Sequence, residues 1–288
     1  MANEIDTGGS AAETIAAEVV DRLLIPAAYG STVILPLVKH HDMTGANSLV
    51  SEHVKWPELS GSVSALTDGS DASNSDIDTT SVTATVSAHG IMFTVTDLFT
   101  AASVINLADI ATQGGLAVGA DIDINLAAEF PDLTTAVGAT TVNLTNANYL
   151  SAIHQMELNA LLDRGPIVAV MHPIQIADLR TDLLTETATV ASSDVVGGPF
   201  SVGERWNLYG TTIYSSIRCP AANTAADRVG AMFGAGPGAP FVYSRMWDPR
   251  SEFQRDASMR GFEIVITAAY GDECIDPAGG FEILSDHE

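Results

Sequence analysis

The feature that most constrains this chain is a run from Asp97 to Glu129. Its polar residues Asp97, Thr100, Ser103, Asn106, Asp109, Gln113, Asp121, Asn125 and Glu129 recur at steps of three or four, with one member missing at Ala117. The mean step is about 3.6 residues, the α-helical period. The other faces are almost wholly apolar, so the run predicts a helix covered on several sides. Asp97 suits the N-cap and Pro131 stops the run. Unbroken, the helix would be about 50 Å long at ~1.5 Å per residue, well beyond the usual length in a compact domain. Gly114-Gly115 offers a kink, which leaves two shorter helices as the alternative.

The segments around this run alternate between extended and helical signals. An amphipathic stretch from Ala11 to Leu24, ended by Pro26, leads into the extended STVILPLV and reads as an arm (residues 1–48). Residues 49–96 predict a long β-hairpin. LVSEHVKW and SVTATVSA alternate apolar and polar residues, with Val82, Ala84, Val86 and Ala88 on one face. The segment between them is rich in Ser, Asp, Gly and Asn and cannot bury enough area to offset its ordering entropy. A two-stranded projection is marginal alone and calls for something to lie against.

Residues 136–240 mix both types. NANYLSAIHQMELNALLDRGP predicts a helix with an Asn cap and a Gly-Pro stop. IVAVMH predicts a buried strand and Pro173 opens the helix IQIADLRTDLL. A Gly/Ser-rich loop and the strands LYGTTIYSSI, VGAMF and PFVYS follow. Residues 241–288 carry an arginine-acid segment and then a terminal strand pair, GFEIVITAAY and FEIL. The class is α+β.

Charge narrows the function. Of 288 residues, 36 are acidic and 12 basic, for a formal net of −24. Long-range repulsion of phosphate disfavours a sequence-reading nucleic-acid binder and an anionic membrane surface. No basic n-region opens the chain and no apolar run reaches 18 residues, so neither a secretory signal nor a membrane-spanning helix is expected. Cys219 and Cys274 lie 55 positions apart and read as two buried free thiols.

Catalytic and ligand motifs are sparse. The P-loop, the G-x-S-x-G elbow and the H-E-x-x-H helix are absent. FGAGPGAP holds Gly234, Gly236 and Gly238 but fails the dinucleotide spacing. His40 and His41 point to opposite faces if on a strand. His154 and Glu157 share a helix face without a second pair, and His172 reads as a strand-end residue. Neither Asp76 with Asp78 nor Asp121 with Asp123 fits the twelve-residue calcium loop. No nucleophile, base and orienter stand out, so no catalytic residue, metal or cofactor is expected.

Arginine is distributed unevenly. Arg245, Arg250, Arg255 and Arg260 come every five residues, interleaved with Asp248, Glu252 and Asp256. Arginine forks pair bidentately with carboxylates. In a self-associating acidic chain they would receive neighbours' acidic faces, together with Trp56; the alternative is a set of intrachain pairs on a solvated surface.

Four stretches, in this order and spacing, resemble the major capsid proteins of tailed phages, the Hong Kong 97-type fold. SVTATVSAHGIMFTVTDL resembles the extended loop running into the spine helix, and LADIATQGGLAVGADIDINLAAEF the spine helix itself. IVAVMHPIQIADLR resembles the strand and helix of the axial domain, and GFEIVITAAYGDECIDPAGGFEIL the closing strands of the peripheral domain. The resemblance implies residues 1–48 as N-terminal arm, 49–96 as extended loop, 97–135 with 241–288 as peripheral domain with spine helix, and 136–240 as axial domain.

It further implies a structural protein rather than an enzyme, forming hexamers and pentamers of an icosahedral shell around double-stranded DNA, without sequence-specific contact. The partners implied are a separate scaffolding protein, a portal and a decoration protein, with no membrane. The place implied is the virion capsid, after assembly in the host cytoplasm. Lys55 lies at the hairpin base, away from the tip where some members crosslink. An encapsulin-type nanocompartment and, behind it, an acidic α+β enzyme are the alternatives.

Overall fold

The computed structural model describes residues 10–55, 65, 68–69, 79–98, 107–159, 161–187, 205–223 and 227–286. The first described element is helix α1 (Ser10–Gly30). Strands β1 (Lys39–Asp42), β2 (Val50–Lys55), β3 (Thr80–Thr85) and β4 (Ser87–Thr96) follow. Helix α2 (Leu107–Ala128) comes next, then β5 (Ala136–Ala139), helix α3 (Asn146–Leu158), β6 (Ile167–Met171) and helix α4 (Pro173–Thr187). The chain closes with β7 (Arg205–Leu208), β8 (Thr211–Ser215), β9 (Arg228–Gly234), β10 (Phe241–Asp256), β11 (Gly261–Cys274) and β12 (Gly280–Ser285).

Among the described residues the strands form three sheets. A four-stranded sheet has the order β1-β10-β11-β4, a six-stranded sheet the order β5-β12-β9-β6-β8-β7, and β2 pairs with β3 alone. The six-stranded sheet is apolar on both faces because both are covered. In β6, Val168 and Val170 join one core while Ala169 and Met171 join the other, as the two-residue period requires. That is why IVAVM reads as a continuous apolar run. On the second face, α3 and α4 supply Tyr149, Ala152, Met156, Ile176, Leu179 and Leu183. On the first face lie α1, α2 and the ends of β10 and β11, through Leu24, Ile122, Phe241 and Ile264.

Of the arm expected over residues 1–48, the described residues 10–48 pack against the body. Helix α1 runs through Pro26 rather than ending there. Proline removes one intrahelical bond, and burial of Leu24 and Ala28 in the main core offsets that loss. Asp21 Oδ1 accepts from the Ser251 amide and hydroxyl at 2.7 Å each, fastening α1 to β10. STVILPLV is not simply extended: Leu35–Leu37 form a 3-10 turn before β1.

Helix α2 is unbroken across Gly114 and Gly115, so the kink alternative does not hold over its described length. Both glycines instead face neighbouring elements. Asp97 and Leu98 are helical, residues 99–106 lie outside the described residues, and the helix ends before Pro131 as expected. Helix α3 is capped by Thr145, whose Oγ1 accepts from the Asn148 amide at 3.3 Å, rather than by an asparagine.

The hairpin is shorter than residues 49–96. Strands β2 and β3 pair from Val50↔Thr85 to Lys55↔Thr80. At Val86 the return strand changes partner, and β4 pairs with β11 from Ser87↔Tyr270 to Thr96↔Gly261. Ala84 and Val86 are buried, but Ala88, beyond the switch, is exposed. The predicted terminal strand pair does not form. Both edges of β11 are taken, by β10 and β4, so β12 has none to join and enters the six-stranded sheet between β5 and β9.

Candidate assembly surfaces

The β2–β3 ribbon is two-sided. On one face Ser51 and His53 are buried, and the His53 ring meets His41 edge-on at 5.1 Å. Burial pushes the His53 pKa down, helped by His41 and Lys39. The other face leaves Val50 45% and Val54 53% exposed, beside exposed Leu49. A strand that shows valines to solvent on a separate two-stranded sheet offers apolar area and unpaired edges.

The loop-side end of the ribbon is fastened through Asp276, a residue with no signal in the sequence. It receives Lys55 from β2 and Arg164 from the turn before β6. Burial works against its charge, yet these two cations hold its carboxyl below the ordinary value. Lys55 is therefore engaged within its own chain. Lys39, the only other lysine, lines a pocket together with Lys55, Arg164 and Asp276.

The arginine segment proves to be strand β10. Arg245 pairs with Asp42 at 2.9 Å and Asp248 at 2.7 Å, and Arg255 pairs with Asp97 at 2.9 Å and covers the Phe262 ring. These two are intrachain pairs. Arg250 sits over the Trp247 ring, reaches Glu252 only at 3.7 Å and is 52% exposed. Arg260 occupies the β10–β11 turn with φ of 51° and makes no ion pair with a described residue. Trp56 lies outside the described residues. The even spacing of arginines does not give one face, because residues five apart on a strand alternate faces, and β10 also shifts register on either side of Trp247.

The other sequence candidates separate. His40 Nε2 donates to Leu35 O over 2.9 Å while His41 faces His53, so the two do diverge. His154 and Glu157 are an exposed contact at 3.9 Å. His172 follows β6 directly, and its Nδ1 accepts from the Ile174 amide at 3.3 Å. Asp121 and Asp123 face different ways. Asp123 is fully buried and accepts from the Val33 and Ile34 amides at 2.7 and 3.1 Å, whereas Asp121 is half-exposed near His89. Asp76 and Asp78 lie outside the described residues. Cys219 and Cys274 are buried free thiols, both pushed up to about 12 by burial. Among the described residues no group of three or more metal-ligating side chains converges, and no helix is long and apolar enough to cross a membrane.

Where α2 ends against β11, Glu129 and Asp272 form an acidic pair that sequence reading did not find, since they are 143 positions apart. Burial, then repulsion from Asp272, raises Glu129 to about 7, although the Cys274 amide donates to it at 3.0 Å. Burial raises Asp272 to about 6. Both folded values exceed the ordinary ones, so the stability these groups add is complete in acid and is lost as pH rises through 6 to 7. Calorimetry of the unassembled chain should show Tm falling by a few degrees between pH 5 and 7 and levelling off above the folded values. Glu129→Gln should flatten that slope; an equal slope in the variant would refute the assignment.

No protein-family model and no characterised protein sequence matches the chain. Solved structures do. A structure from Mycobacterium phage Che8 superposes with TM-score 0.67 at 20% identity, covering 88% of this chain and 90% of that one. The capsid of cyanophage P-SCSP1u gives 0.68 at 14% identity over 89% of each chain. The virus-like particle of Pyrococcus furiosus gives 0.58 at 11% identity, over 92% of this chain and 98% of the other. Likenesses at this identity establish architecture, and they cover both chains almost end to end. This chain therefore has the fold of phage capsid proteins.

Proposed function

We propose that the chain is a major capsid protein of the Hong Kong 97 type. In this reading it self-assembles as hexamers and pentamers into an icosahedral shell enclosing double-stranded DNA. The observation that carries the reading is the near end-to-end match to capsid subunits, with the apolar outer face of the β2–β3 ribbon unpartnered among the described residues. The four-stranded sheet with α2 serves as the peripheral domain with spine helix, the six-stranded sheet as the axial domain, and the ribbon as the extended loop laid on an adjacent subunit. Exposed Arg250 and Arg260 receive acidic faces of neighbours, while Arg245 and Arg255 brace their own chain. The role is structural and its place is the virion. A separate scaffolding protein, a portal and a decoration protein are the partners this reading assigns.

The acidic balance fits a wall that repels DNA and lets a genome pack without sticking. It also opposes assembly. Repulsion at a net charge of −24 is screened over ~10 Å at 0.1 M salt, so light scattering of purified protein should rise as salt is added. A fall in scattering with salt would reject the repulsion argument.

The likeness to the Pyrococcus furiosus particle supports a second reading, a protein nanocompartment holding protein cargo. Negative-stain microscopy of the expressed chain, followed by nuclease digestion of purified particles, tests both. Closed shells or hexameric rings support assembly, and nuclease-protected DNA in particles from an infected or lysogenic host selects the capsid. Protected protein without DNA selects the compartment. A compact monomer with a radius of gyration near 19 Å that never assembles in any salt rejects both.

A further inference from the structure

Beside β4 the fold brings together three side chains whose chemistry the sequence does not advertise. Ser87 Oγ lies 2.8 Å from His89 Nε2, and His89 Nδ1 lies 2.8 Å from Asp121 Oδ2. Ser87 and His89 are two apart on one strand, so they share a face. Asp121 arrives from α2. Its carboxylate is held in place by the Tyr270 hydroxyl, which donates to Oδ2 at 2.6 Å and accepts from Asn125 Nδ2 at 3.1 Å. The His89 ring stacks on Tyr270 with centroids 4.3 Å apart and planes 17° from parallel, which limits its rotation.

A carboxylate at Nδ1 fixes the proton there and leaves the Nε2 lone pair for the serine hydroxyl. That is the nucleophile, base and orienter arrangement of acyl transfer. A pocket of about 340 Å³ opens alongside, walled by His89, Gly90, Ile91, Ala117, Val118 and Asp121. Its mostly small and apolar lining suits a short acyl chain.

We propose that Ser87 is an activated nucleophile that captures a short acyl group from an ester or thioester donor. Its Oγ attacks the donor carbonyl and forms a new ester bond while His89 Nε2 takes the hydroxyl proton. The bond to the donor's alcohol or thiol breaks, and His89 returns the proton to that leaving group. The reaction proposed is this acylation step, and its product is an acyl-serine.

The chain contains its own control. Ser51 and His53 repeat the Ser-x-His spacing on β2 with the same 2.8 Å contact, but Ser51 is 2% exposed and the ring beside His53 is His41, not a carboxylate. Accessibility and the orienting acid separate the two pairs.

The test treats the full, unassembled chain with p-nitrophenyl acetate and follows acetylation at each serine by peptide mass mapping. General-base assistance contributes roughly 10²- to 10⁴-fold. Acetyl should therefore appear on Ser87 at least about tenfold faster than on exposed Ser81 or buried Ser51. Urea unfolding should erase the preference, and His89→Gln or Asp121→Asn should each lower the Ser87 rate at least about tenfold. The wild-type comparison among serines needs no variant to fold. Labelling of Ser87 at the Ser81 rate, or an unchanged rate in His89→Gln, would overturn the proposal.

Discussion

Gly119→Ala is expected to destabilise the chain by about 2 kcal/mol, although alanine in place of glycine inside a helix ordinarily gains about 1 kcal/mol. The sign reverses because α1 crosses α2 at this point. A Cβ on Gly119 would sit 2.3 Å from Ala28 O and 2.2 Å from Ser31 Oγ, and one on Gly115 would sit 2.6 Å from Leu24 O. Positions 115 and 119 are four apart and share a helix face, so they form one shallow track on which α1 rests. The obstructing atoms are mostly backbone and cannot rotate away.

Gly114 supplies the contrast. Its Cβ would meet Ile266 Cδ1 at 2.1 Å, the far end of a side chain that can change rotamer. Gly114→Ala should therefore cost less than Gly119→Ala, and Gly119→Leu should cost most, releasing α1 from the core. Urea midpoints for the three variants measure the order. A Gly119→Ala chain as stable as the parent would refute the close crossing.

That crossing shows where sequence reading works on this chain and where it fails. Periodic signals transfer well, because a helix or strand must repeat its apolar residues to bury them. The helix over the described part of the run, Leu107–Ala128, the strand at IVAVM and the helix opened by Pro173 are all present. Glycine pairs are ambiguous. Gly114-Gly115 reads as a kink locally, and only the position of α1 reveals a docking track. Pro26 misled for a similar reason, since its local penalty is outweighed by burial of its neighbours.

Partner choice between strands was not legible. Nothing in FEIL says that β11 already has two neighbours, so β12 was placed in the wrong sheet. Sites assembled across long separations were equally hidden. Asp276 with Lys55, Glu129 with Asp272, and His89 with Asp121 each join residues from different elements, and no one of them is unusual alone. The arginine spacing was visible, but its division into braced and exposed members depends on which carboxylates other elements bring within reach, Asp42 for Arg245 and Asp97 for Arg255.

Replacing residues 56–79 by a two-residue Asn-Gly turn is expected to leave the subunit folded and to abolish closed particles. The register Lys55↔Thr80 ends the ribbon on a facing pair, the geometry that an Asn-Gly turn closes. The replaced residues include the Ser-, Asp- and Asn-rich stretch, whose composition adds little apolar area to any core of its own. Its loss should move Tm by only a few degrees. Assembly should respond far more steeply, because each subunit in a shell touches several neighbours and closure multiplies small changes at every contact. Particle scattering should drop to the level of free subunits while circular dichroism stays unchanged. Normal shells from the trimmed chain would show that the ribbon tip plays no part between subunits, and would move the burden of assembly to the exposed valines of β2 and to Arg250 and Arg260.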